Sequence, residues 1–171
     1  METFTNYVNV LIIPIAGVIP LLVGALWYSP AVFGKTWMRV SGVTEEQTKA
    51  GGMIKIFAFT YLFGLLVAYL LSFATVHQLS IFQLFFHDPA LEDPASEFSR
   101  FTADYLERFG DRHRTFGHGV IHGLENGFIL SLAMIGIPAL FERKPWKYIF
   151  IHVGYWTVSV GLMAGVICQF L

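Results

Sequence analysis

Four long apolar runs, parted by charged segments, set the pattern of this chain. The first covers residues 8–27 and carries no charge. The second covers 56–76, is also uncharged, and keeps its apolar character past His77 as far as residue 86. The third, 117–141, holds one carboxylate, Glu125, and the fourth, 148–170, holds none. A bilayer core of about 30 Å takes roughly 20 apolar residues in a helix, so each run predicts a span. Pro14, Pro20 and Pro138 interrupt the runs; membranes tolerate this where neighbouring helices satisfy the freed carbonyls. The pattern predicts an all-α membrane protein of one domain, a four-transmembrane-helix bundle built as two out-in-out hairpins.

The second connection has a pattern of its own. Asp93-Pro94 reads as a helix N-cap followed by proline at the first helical position. Phe98, Phe101, Tyr105 and Phe109 recur at helical spacing, Gly110 supplies a stop, and seven acidic residues from Asp88 to Asp111 fill the other faces. An amphipathic helix over 94–109 is expected. It could pack on the bundle, lie on the outer membrane surface, act as a lid, or dock a partner.

Without a hydrophobic drive between helices in lipid, small residues decide which faces meet. Gly119, Gly123 and Gly127 stand four apart in the third run; Gly161 and Gly165 do so in the fourth, with Gly154 a heptad earlier. The short connection between these runs forces an antiparallel hairpin, so the glycine faces are expected to meet each other. The same faces could instead join copies into a homo-oligomer. A shared basic aromatic pattern, Phe33-Gly34-Lys35-Thr36-Trp37 and Phe141-Glu142-Arg143-Lys144-Pro145-Trp146, raises the idea of a duplicated hairpin.

Charge sets the orientation. The first and third connections carry seven Lys and Arg residues together, from Lys35 to Lys55 and from Arg143 to Lys147; the second carries four, from Arg100 to Arg114. The positive-inside rule puts the first and third in the cytoplasm and both termini outside. Trp27, Tyr28, Trp37, Trp146 and Tyr148 gather at the same end, as an interfacial belt would. Only 13% of the residues are charged, against about 25% in soluble domains. The net charge of −1 leaves no basic field for nucleic acid. A lone cysteine, Cys168, excludes an internal disulfide and suits packing. The first six residues lack the positive stretch of a signal peptide, so the first run is read as structure.

Ionisable groups inside a membrane are functional candidates by default. The third run reads H-x-x-x-H-x-x-E-N, which puts His118, His122, Glu125 and Asn126 at spacings of three and four. Such residues share a helix face, and imidazoles with a carboxylate suit a transition metal. The metalloprotease pattern is rejected, because Gly119 stands where that glutamate would be. His77 ends the second run at a similar depth and could join, as a ligand or as an axial partner to haem. Asn6, Asn9 and Gln169 should lie near the same level, whereas His152 enters from the opposite side. His87 and His113 read as solvated loop residues.

Gly24-Ala25-Leu26-Trp27-Tyr28-Ser29-Pro30, with Phe33-Gly34-Lys35, Trp37-Met38, His122-Gly123, Phe141-Glu142-Arg143 and Gly154-Tyr155-Trp156, resembles the small bacterial membrane proteins catalogued as domain of unknown function family 1761. The resemblance leaves out the acidic second connection. It implies four spans in a bacterial inner membrane and no activity. Three functions stay open. One is a non-enzymatic protein whose outward His/Glu pocket binds a small ligand, lipid head group or ion. Another is an intramembrane metal- or haem-binding protein with redox or hydrolytic activity. The third is an accessory subunit of a larger complex.

Overall fold

The computed structural model describes residues 8–84, 88–91 and 93–171, and within them every regular element is a helix. Asn6 and His87 lie outside the described residues. The α-helices are α1 (Ile12–Trp27), α2 (Gly34–Ser41), α3 (Glu45–Lys49), α4 (Met53–Thr75), α5 (Ser80–Leu84), α6 (Glu97–Phe109), α7 (Phe116–Phe141) and α8 (Trp146–Phe170). Short 3₁₀ turns cover His77–Leu79 and Pro89–Leu91.

Three helices, α4, α7 and α8, are long and apolar enough to cross a membrane. At 1.5 Å per residue they reach roughly 34–39 Å. α1 has 16 residues and reaches only about 24 Å, because its first turn begins at Ile12, not at Val8. The helical path of the second run also ends earlier than its apolar character does. Val76 leaves the helical region at φ −98°, ψ 89°, so residues 77–84 do not prolong α4. In the second connection the cap is Ser96, whose Oγ accepts from the Ser99 amide at 3.0 Å. Asp93 instead accepts from the Ala95 amide in a turn, and α6 therefore starts three residues after Pro94.

α8 is the central post. It packs along α7 and against α1 and α4, which also pack on each other, while α7 meets α4 only briefly. Small residues permit the close approach. A Cβ on Gly123 would lie 2.5 Å from the Val160 carbonyl oxygen and 2.6 Å from the Ala164 Cβ. Gly119 meets Ala164 and Cys168 in the same way, while Gly161 receives Leu124 and Gly165 receives Phe116 and Val120. The glycine face of α7 is thus filled within the chain, which leaves other surfaces for any contact between copies. Gly154 departs from the expected pairing, since it faces Trp27 of α1. The two basic aromatic segments also differ in form: the first builds α2, the second a tight turn in which Arg143 takes φ 57°.

The outward surfaces of α1, α4 and α7 are lined by exposed Leu, Ile, Phe and Met, among them Leu22, Leu66, Leu70 and Met134. A water-facing surface rarely carries apolar patches of that extent; a lipid-facing one does. The protein has membrane-protein character.

Candidate metal centre

At the end of the bundle where α4 stops and α7 starts, three imidazoles converge. α7 is capped by Thr115, whose Oγ1 accepts from the His118 amide at 3.2 Å. That fixes His118 in the first turn, with His122 one turn on along the same face. His77 arrives from the other side through the break at Val76. Its 3₁₀ turn is anchored by Val76 and Leu79, both buried, and by Gln78. The Gln78 side-chain amide donates to the carbonyls of Phe109 (3.0 Å) and Arg112 (2.7 Å), tying the turn to the C-terminal end of α6.

The Nε2 of His118 lies 3.2 Å from that of His77 and 3.1 Å from that of His122. One ligand atom from each of the three residues falls within 4.8 Å of the others. Ring planes meet at 76–85°, edge to face. Proton counting makes the arrangement informative. A neutral imidazole nitrogen either donates one hydrogen bond or accepts one in the ring plane. His118 Nε2 therefore makes a full hydrogen bond with one neighbour, and the other contact either shares that same proton or lone pair or sets like groups against each other. A cation between the three nitrogens removes the conflict. Zn–N bonds of about 2.0–2.1 Å in a tetrahedron imply N···N edges of roughly 3.3–3.4 Å, close to both measured separations.

Burial first, then the neighbouring His122 and His113, hold His77 below its ordinary pKa, which favours the neutral form that can ligate. His113 was read as a solvated loop residue and is exposed, yet its ring stacks on His118 at 5.0 Å and 22°. It sits in the left-handed region at φ 63°, with its carbonyl accepting from the Thr115 amide and from the Cys168 thiol. Cys168 itself is buried behind this turn. Arg114 donates from Nε to the Cys168 carbonyl at 2.7 Å, and Gln169 accepts from the Phe116 amide. These contacts bind the start of α7 to the end of α8. Asn9 ends there too, its amide donating to the Leu171 carbonyl.

Two other expected members do not join. Asn126 donates its side-chain amide to the His122 carbonyl of its own helix at 2.8 Å. Glu125 is exposed, with no hydrogen bond or ion pair among the described residues. Seven residues beyond His118, it keeps that residue's direction to within about 20° but lies about 10 Å further along the helix axis, whereas the triad converges on the His118 Nε2. His152 lies at the far end, its Nδ1 2.9 Å from the Tyr28 hydroxyl. The residues of the Gly24–Pro30 segment gather around it: Tyr28 rings stand near Trp37, His152 and Tyr155, and Trp27 donates to the Ile151 carbonyl.

Beside the triad is a cavity of about 240 Å³, lined by His77, Gln78, Tyr105, Phe109, Arg112 and His113. No periodic signal places Arg112 or His113 here, since both lie in the turn that only tertiary contact folds back. No curated protein and no solved structure matches the chain. The chain belongs to the family described as "Protein of unknown function (DUF1761)", whose model matches residues 11–168 and so runs through the acidic second connection that the resemblance had left out.

Proposed function

We propose that this protein is a four-span membrane protein of the bacterial inner membrane that binds one divalent transition-metal ion on His77, His118 and His122, at the extracytoplasmic end. The observation that carries the metal is the pair of 3.1–3.2 Å contacts on a single His118 nitrogen. Converging nitrogens suit one small ion. Haem would need its axial histidines on opposite faces of a flat macrocycle.

The fourth span is α1 with its lead-in turn. Asn9 sits beside Leu171 and Trp27 beside Ile151, so this segment covers the same height as residues 151–171 of α8, about 30 Å. Seven of the eleven Lys and Arg residues stand at the end away from the histidines, which argues for an outward-facing site. The reading is of binding rather than catalysis.

The test is elemental analysis of detergent-purified protein, with one equivalent of zinc or a similar metal expected. Protein that stays metal-free after dialysis against micromolar zinc would sink the reading. A second reading, association with another membrane subunit or a second copy, draws on Glu125, a carboxylate with no partner among the described residues, on the outer face of α7 beside exposed Ile121 and Phe128. Cross-linking in native membranes from a cysteine at Ile121 tests it; monomer alone would dismiss it.

A further inference from the structure

We infer that the metal's remaining coordination position takes a small organic carboxylate with an aromatic body, held in the cavity under α6. This rests on the three-histidine metal reading and extends it to a ligand class.

Three neutral imidazoles leave a divalent ion with its full positive charge and, in a tetrahedral set, one position open. An anion is the natural fourth ligand. The cavity adjoining His77 supplies a second positive charge from Arg112. The Arg112 guanidinium has no hydrogen bond or ion pair among the described residues, so its donors are available to a carboxylate, which it can hold in a bidentate fork. The remaining wall is aromatic. Tyr105 and Phe109 project from α6 with ring centroids 5.6 Å apart and planes tilted by 48°, and Gln78 pins this end of α6 over the histidines. At about 240 Å³ the space falls below the roughly 300–1,000 Å³ of drug-sized sites. It is open on one side and has room for a single ring against Tyr105 and Phe109. This also gives the amphipathic helix a role, as the roof that supplies the apolar contacts.

The experiment uses the full chain in detergent, loaded with Co²⁺, whose visible ligand-field bands report the coordination sphere. Benzoate is the probe. Saturable change in the cobalt bands is expected. Benzamide, of the same shape but neutral, should leave them unmoved, and acetate, lacking the ring, should bind about tenfold more weakly. Arg112→Gln should weaken benzoate by about tenfold, the loss of one hydrogen-bonded charge contact, while the cobalt bands without benzoate stay as in the wild type. Because the Arg112 side chain holds nothing else among the described residues, this variant tests the contact and not the fold. Cobalt bands that ignore benzoate, or an Arg112→Gln variant with wild-type affinity, would overturn the inference and leave the metal reading standing. Absence of any cobalt bands would overturn both.

Discussion

His118 is the nitrogen shared by both short contacts of the triad, so its loss removes the centre of the site and not one edge of it. His118→Ala should abolish stoichiometric metal binding, and His122→Ala should do the same, both with helical content unchanged by circular dichroism. The backbone cap survives, because Thr115 accepts from the residue 118 amide whatever the side chain. Glu125→Gln should leave the metal content at the wild-type level, since the ligand group is formed by His77, His118 and His122 and the carboxylate is exposed. A metal-free Glu125→Gln protein would show that the carboxylate reaches the ion after all. The histidine stripe was legible because helical spacing alone puts residues 118 and 122 on one face. His77 was legible from its depth. Glu125 shares the direction of His118 to within about 20° but stands about 10 Å from it along the helix axis, a rise that spacing on a wheel does not show. His113 and Arg112 were not legible, because a turn with a left-handed residue, tied down by Cys168 and Gln78, carries no periodic signal.

Helix pairing rests on the approach of α7 to α8, and glycine spacing made that readable. Gly123→Leu should force the two helices apart, since even a Cβ there meets the Val160 carbonyl oxygen and the Ala164 Cβ within 2.6 Å. Overpacking of this kind costs about 1–3 kcal/mol or more. Gly117→Ala, in the first turn of the same helix but with nothing within 4 Å of an added Cβ, should stay within about 0.5 kcal/mol of wild type. Thermal unfolding in detergent separates the two; equal midpoints would mean that the glycine face is not what holds the hairpin. Where elements begin and end was less legible. Pro94 is a good first helical residue, yet the Ser96 hydroxyl, which also donates to the Ala90 carbonyl, captured the cap instead. The apolar run past Val76 gave no warning of a helix break, because Val76 and Leu79 are buried on either side of it and hydrophobicity alone does not distinguish a helix from a buried turn.

At the scale of the whole molecule, contacts between distant residues assign the connections to two opposite ends in a way composition could only suggest. Tyr28 and Tyr148 both pack on His152, which brings the first and third connections to one end. The histidine triad and α6 occupy the other. With seven positive residues at the first end and four at the second, the triad should face outward. Single cysteines read this directly. Glu107→Cys, on an exposed position of α6, should react with a membrane-impermeant maleimide in intact cells. Lys147→Cys, exposed at the opposite end, should react only after lysis. Cys168 is 1% exposed, so the unsubstituted protein serves as the blank and needs no replacement of its own cysteine. Labelling of both positions in intact cells would mean that the two ends are not separated by a membrane, and the span reading of α1 would fall with it. Labelling at residue 147 alone would invert the protein, place the triad in the cytoplasm, and make the cytosolic metal pool its source of ion.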